Sequence, residues 1–153
     1  MMRIFKQLYH ARRGVAALEF AVVAPVLMML MFGILEFGRL LWTMQGLQMT
    51  AASAARCMGI LASSCASGGA YSSDNTTSYI ENTANAWGIT LTSSNLTLLT
   101  RDSTQPGPCA PATSTLTISE VTITYTFQTA VPGLLSMLSS NALQGHACFP
   151  NDS

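Results

Sequence analysis

Residues 15–35 read VAALEFAVVAPVLMMLMFGIL and contain a single charged side chain, Glu19. At a rise of about 1.5 Å per residue, a helix of this length spans roughly 30 Å, the thickness of the hydrocarbon core of a bilayer. Four of the seven Lys and Arg residues precede this run, within residues 1–14, and every Ser and Thr follows it. A basic head, an apolar run and a polar body are typical of a protein inserted into a membrane.

The overall composition excludes several classes of protein. Hydrophobic residues make up 49% of the 153-residue chain and charged residues 9%, well below the roughly 25% typical of soluble domains. Mean hydropathy is +0.35, which excludes a highly charged disordered chain. Seven basic residues balance seven acidic ones, so the chain lacks the excess of positive charge that a polybasic nucleic-acid binder needs. We therefore expect no nucleic-acid partner, and a purely cytosolic enzyme is disfavoured.

The position of the basic residues predicts how the chain lies in the membrane. By the positive-inside rule, residues 1–14 stay in the cytoplasm, residues 15–42 form a single transmembrane helix and residues 43–153 form a domain outside. A cleaved secretory signal peptide is a competing interpretation, although the apolar run exceeds the usual 7–15 residues. A plain uncleaved anchor is another.

A third interpretation depends on Glu19, because an ionised carboxylate inside a bilayer costs a few kcal/mol unless it is paired. A simple anchor has no need of such a residue. A peptidase that cut after Gly14 would remove the basic head and leave Val15 with a free ammonium group. Glu19 would then be the fifth residue of the mature chain, able to pair with its own ammonium or with that of a neighbouring subunit.

The residues around this junction resemble a known family. The block RRGVAALEFAVVAP (residues 12–25), followed by GILEFGR (residues 33–39), is similar to the TadE-type pseudopilins of the tight-adherence (Tad, Flp-type) pilus. The resemblance implies cleavage by a prepilin peptidase between Gly14 and Val15 at the cytoplasmic face. It implies an assembly role for Glu19, with Phe20 beside it.

The same resemblance implies what the whole protein does. We expect a minor pilin or pseudopilin of a type IV-like pilus, acting in pilus biogenesis and adhesion with other pilins and the assembly machinery as partners. It would reside in the bacterial cytoplasmic membrane, with its C-terminal domain in the periplasm or at the cell surface. The alternative is a permanently anchored periplasmic binding or scaffold protein that is not processed.

Two further groups of residues mark the predicted transmembrane helix. Pro25 and Gly33 lie within it, and they indicate either an ordinary kink or a flexible point that helps the helix to leave the bilayer and enter a filament. Glu36 and Arg39 stand three residues apart and can pair on a helix face. Together with Trp42 they are typical of the outer membrane interface, and a second assembly role for Glu36 stays open.

The remainder predicts an α+β domain in which a long helix packs on a small antiparallel sheet, as in pilins. Apolar residues keep helical spacing through residues 40–62, so the membrane helix is expected to continue into this domain. The other expected elements are a helix at 78–87, strands at 89–100, 116–127 and 145–149, a short helix at 132–143, loops at 63–77 and 101–114, and a bulge at 119–120.

The four cysteines, Cys57, Cys65, Cys109 and Cys148, all lie on the predicted outer side. Their even number suggests two disulfides formed in an oxidising compartment. Three connectivities are possible, and we favour Cys57–Cys65 with Cys109–Cys148. Metal ligation and free thiols are the alternatives, but there is no CxxC pair for zinc, so we expect no metal.

Catalytic motifs are absent from the sequence, which lacks GxSxG, HExxH, P-loop and GxGxxG patterns. The predicted outer domain has one histidine, His146, and candidate acidic partners for it include Glu120. The spacing brings no such pair together. We therefore expect neither an enzyme nor a cofactor, and no small-molecule substrate is evident.

Overall fold

The computed structural model describes residues 12–102, 109, 117–129 and 142–151. The chain divides into two compact units, residues 1–38 and residues 39–153. The predicted short helix at 132–143 and most of the predicted loop at 101–114 lie outside the described residues. The first unit exposes an apolar helix surface, and the second unit buries an apolar core.

The first unit is helical throughout its described part. Helix α1 spans Arg12–Gly59, 48 residues, and passes through Pro25 without interruption. Along residues 15–37 the large apolar side chains are exposed, with Phe20 at 72% and Leu30 at 60%. The helix is long and apolar enough to cross a membrane, with a mean hydropathy of 2.3 over its most apolar window. This surface needs a lipid or protein environment, because its exposure to water is unfavourable.

The second unit begins with the C-terminal part of α1, where one face becomes buried. The side chains that enter the core recur at helical spacing, and they are Leu47, Ala51, Ala54, Ala55 and Met58. Leu41 and Met44, which continue the same predicted stripe, remain exposed. Helix α1 thus changes from an apolar surface exposed all round to an amphipathic one, as a segment that packs on a sheet requires.

A small hairpin and a second helix follow α1. Strands β1 (Ala66–Ser67) and β2 (Ala70–Tyr71) pair antiparallel, and helix α2 spans Ser73–Ala86. The predicted loop at 63–77 is therefore wrong in its second half, and the predicted helix starts five residues too late. Ser72 is the N-cap, and its hydroxyl accepts a hydrogen bond from the Asn75 backbone N–H, which stabilises the earlier start.

The end of α2 agrees with the sequence. Gly88 has φ of +75°, a conformation that favours glycine, and the backbone N–H of Ile89 donates back to the carbonyl of Ala84. After this stop, a single 3₁₀ turn at Ser93–Asn95 leads into the first strand of the main sheet.

The main sheet is antiparallel and has three strands in the order β3 (Leu96–Asp102), β4 (Thr117–Thr126) and β5 (Ala142–Pro150). These strands, together with α1 and α2, confirm the α+β class. The predicted bulge at 119–120 is wrong, because the register of β4 runs unbroken against both neighbours. Consecutive residues from Ile118 to Val121 are buried instead, so the alternation is lost where both faces of the central strand are covered.

The core lies where α1 meets the sheet. Val121 and Ile123 of β4 and Leu47 of α1 are fully buried in one apolar cluster, with Ile80 of α2. Gly145 of β5 lies so close to α1 that a Cβ atom there would stand 2.5 Å from the Leu47 carbonyl oxygen. This glycine lets the strand and the helix backbone approach each other closely.

We predict that Gly145→Ala lowers the free energy of unfolding by about 1–3 kcal/mol, because the added methyl must push the helix away from the sheet. Thermal unfolding of the full chain in detergent micelles, followed by tryptophan fluorescence, measures this change. Gly33→Ala is the matched control, since nothing lies within 4 Å of its Cβ position. Equal stability of the two variants would contradict this packing.

Candidate functional site

The residues of the predicted processing site lie near the start of α1. Gly14 and Val15 are in its first turn, and nothing surrounds the Cβ position of Gly14 within 4 Å. Glu19 and Phe20 are exposed on the following turn. An exposed carboxylate on an otherwise apolar helix surface is available to a partner outside this unit.

The residues expected to bend or border the membrane helix differ in how exposed they are. Pro25 and Gly33 lie within the helix, and the space around the Cβ position of Gly33 is open. Glu36 is 5% exposed, so its carboxyl group is shielded from solvent. This burial sets Glu36 apart from Glu19.

Arg39 and Trp42 connect α1 to other elements of the second unit. The Arg39 guanidinium lies over the Phe127 ring, 5.4 Å from its centroid, a cation–π arrangement. The Trp42 indole N–H donates to the Trp87 carbonyl oxygen at 3.3 Å, and the two indole rings are 5.3 Å apart. These contacts fix the first turns of the unit against the end of α2 and the end of β4.

The two disulfides follow the pairing favoured from the sequence. Cys57 is bonded to Cys65, eight residues away, which ties the end of α1 to the β1–β2 hairpin. Cys109 is bonded to Cys148 across a separation of 39 residues. The second bond therefore closes much the longer loop, and in the chain-entropy view it restricts the unfolded chain more.

Sequence reasoning missed one cluster of polar side chains beside the second disulfide. His146 Nε2 lies 3.1 Å from Glu120 Oε1, and Glu120 is 4% exposed. The register explains the meeting: Glu120 pairs with Cys148 across β4 and β5, and His146 lies two residues from Cys148 on the same face. Burial of a carboxylate is costly without a partner, and the imidazole supplies one.

The sequence signal for this cluster is the break at 119–120 in the alternation of apolar and polar residues. Interpreted as a bulge, that break would shift Glu120 relative to β5. In an unbroken register the same acid lies opposite a cysteine and diagonal to the one histidine of the domain. The strand pairing, which is not visible in one sequence, was the information that was lacking.

This cluster includes three possible metal ligands. Cys109 Sγ, Cys148 Sγ and His146 Nε2 lie within 4.8 Å of one another. Zinc is bound by thiolates rather than by disulfide sulfur. While the two cysteines are bonded to each other, the set offers one good ligand atom, the imidazole nitrogen, which is too few for a structural zinc site.

The surface also has two depressions of about 320 Å³ each beside the end of α1 and helix α2. Their polar groups are Arg56, Tyr79, serines and asparagines. Neither depression is lined by a carboxylate or an imidazole, so neither brings an acid and a base together over a bound molecule.

We predict that Cys109→Ala/Cys148→Ala lowers the free energy of unfolding of the full chain by about 4 kcal/mol, as expected for a loop of this length. Urea unfolding in micelles measures it. Gln144→Ala, an exposed position on the same strand, is the control and should change stability by less than about 0.5 kcal/mol. A loss below about 1 kcal/mol in the double variant would show that this bond does not hold the domain together.

Comparison with known proteins finds that one segment, which covers most of α1, is similar to a known family. No curated protein and no solved structure matches the chain. Residues 14–56 match the sequence profile of the family described as TadE-like protein. The match begins at the glycine of the predicted processing site and ends at Arg56, near the end of α1. The resemblance seen in the sequence is thereby confirmed over this segment, and residues 14–56 are TadE-like in sequence.

Proposed function

We propose that this chain is a pilin-like structural or assembly protein, a minor pilin or pseudopilin of a Tad/Flp-type pilus. The TadE-like segment supports the association with this pilus. In the proposal, prepilin peptidase removes residues 1–14, and the mature protein acts in pilus biogenesis and adhesion. The role is structural rather than catalytic.

The main support for the proposal is the exposed apolar surface of α1, which contains one acidic residue. Within residues 15–35, Glu19 is the only charged residue, and its large apolar neighbours are exposed on every side of the helix. A lipid bilayer covers such a surface before assembly, and packed helices of other pilins cover it afterwards. Both environments are apolar, so in both Glu19 needs a positive partner.

Processing after Gly14 would create that partner. The new ammonium of Val15 is separated from Glu19 by about one helical turn, and at a helix N-terminus the backbone adds partial positive charge. The carboxylate of one subunit can then pair with the ammonium of its neighbour. A helix that retained its basic head would present Arg12 and Arg13 at the same place, with no free terminus.

The proposed membrane topology follows from charge and hydropathy. Residues 1–14 lie in the cytoplasm, residues 15–42 span the cytoplasmic membrane, and residues 43–153 form the periplasmic domain. Glu36, Arg39 and Trp42 would stand at the outer interface. The contacts of Arg39 with Phe127 and of Trp42 with Trp87 support this, because both side chains pack on residues of the proposed periplasmic domain.

Pro25 and Gly33 are proposed to let the helix bend as it moves from bilayer to filament. Proline cannot donate its backbone hydrogen bond, so the helix is weakened there even though α1 is continuous. Gly33 adds backbone freedom a little over two turns after Pro25. Bending at these residues would allow the domain to reorient while the apolar segment stays packed.

We predict that Gly14→Leu blocks processing, because a bulky side chain replaces the smallest one at the cut. The full chain is expressed with active prepilin peptidase, extracted from membranes and measured by intact mass. Wild type should lack residues 1–14, and the variant should retain them. Gly33→Leu, the control at an open helical glycine, should be processed normally. Wild type that keeps its head beside an active peptidase would favour the permanently anchored scaffold.

We also predict that Glu19→Gln leaves membrane insertion intact and lowers incorporation into sheared pili by about ten- to hundredfold. The magnitude follows from losing one charge-assisted hydrogen bond, worth about 1.5–3 kcal/mol. Glu19→Asp keeps the charge and is the control, expected to assemble better than the Gln variant. Quantitative immunoblots of pilus and membrane fractions measure both. Wild-type incorporation of Glu19→Gln would remove the assembly role of the acid.

A further inference from the structure

The two disulfides of this chain have very different surroundings. Cys57 and Cys65 are both buried, Cys65 completely, and Cys65 follows a tight turn at the end of α1. Cys148 is exposed on strand β5, and Cys109 is half-buried. Attack by an external thiolate requires access along the disulfide axis, so the second bond is the one that solvent thiols can reach.

The accessible disulfide also has a polar side chain beside it. His146 Nε2 lies 3.6 Å from Cys109 Sγ and 4.0 Å from Cys148 Sγ. The imidazole is held in place by Glu120 of the central strand, at 3.1 Å. Because a carboxylate only accepts hydrogen bonds, Nε2 is the donor in this contact and its N–H is directed toward Oε1. The nitrogen that carries this single N–H also lies beside both sulfur atoms.

We propose that Cys109–Cys148 is a thiol-exchange site, at which an external thiolate attacks Cys148 and Cys109 leaves beside the His146 N–H. The incoming sulfur forms a bond to Cys148 Sγ, and the electron pair of the broken S–S bond passes to Cys109 Sγ. That thiolate shares the Nε2–H with Glu120 as a second, negatively charged acceptor, and it then takes a proton from water. The products are a mixed disulfide on Cys148 and a thiol on Cys109, with no net oxidation.

The direction of the exchange follows from exposure and distance. Cys148 is the more exposed residue of the pair, so its sulfur is the one proposed to be attacked. Cys109 is the sulfur closer to Nε2, and a leaving thiolate is favoured by a nearby donor. A second thiol completes the reduction, and in its absence Cys109 can attack the mixed disulfide and restore the original bond. The site would thus accept a small thiol reversibly while Cys57–Cys65 stays closed.

The experiment uses the full chain in micelles with reduced glutathione as the probe. Samples are quenched with N-ethylmaleimide, and peptides are assigned by mass spectrometry. We expect Cys148 to gain glutathione and Cys109 to gain maleimide at least about tenfold faster than Cys57 and Cys65 react. Equal rates for the two disulfides, or glutathione on Cys109 rather than Cys148, would overturn the proposal.

The role of the imidazole is tested with two variants. His146→Leu removes the N–H donor and should slow exchange at Cys148 by at least about threefold, whereas His146→Gln restores a donor and should recover part of that rate. The reaction of Cys57–Cys65 in the same samples reports whether the domain stays folded. A Leu variant that exchanges at the wild-type rate, with Cys57–Cys65 still protected, would eliminate His146 from the site.

Discussion

In the proposed function, burial of the Glu19 carboxylate in an apolar environment is the constraint on which the other features depend. Helix α1 exposes large apolar side chains along residues 15–37, and water is a poor solvent for them. A bilayer or a bundle of other helices solves that problem but penalises Glu19. We propose that a cation near the helix N-terminus compensates this carboxylate and that proteolysis after Gly14 is its source.

The two units differ in which part of helix α1 they contain and in whether that part is exposed or buried. Residues 12–38 supply a surface that is stable only outside water, whereas residues 39–153 bury the amphipathic part of the same helix against α2 and a three-stranded sheet. Close approach at Gly145, the tryptophan contact at Trp42 and two disulfides hold this second unit together without the charged surface common in soluble domains. One helix thus carries both the exposed apolar segment and the scaffold of the domain.

The sequence predicted the elements with strong local signals, namely the long helix, strand β4 and the stop at Gly88. It failed where tertiary structure overrode the local pattern. The start of α2 depends on Ser72 as N-cap within a Ser-rich stretch, where many residues could cap equally well. Glu120 looked like a slip in alternation, because only strand pairing shows that it meets His146 and lies opposite Cys148. The order of the cysteines and the lengths of the loops between them were enough to predict the two disulfides. They could not predict that Glu120 and His146 lie beside Cys109–Cys148.

The proposed pairing of Glu19 with a new N-terminus is tested by the N-terminal residue of the protein purified from native envelopes, read by peptide mass spectrometry. We expect a chain that begins at Val15, with a free or N-methylated amine able to pair with Glu19. A functional protein that begins with residues 1–14 intact would contradict it, since no new cation would then exist and the carboxylate in the apolar helix would need another explanation.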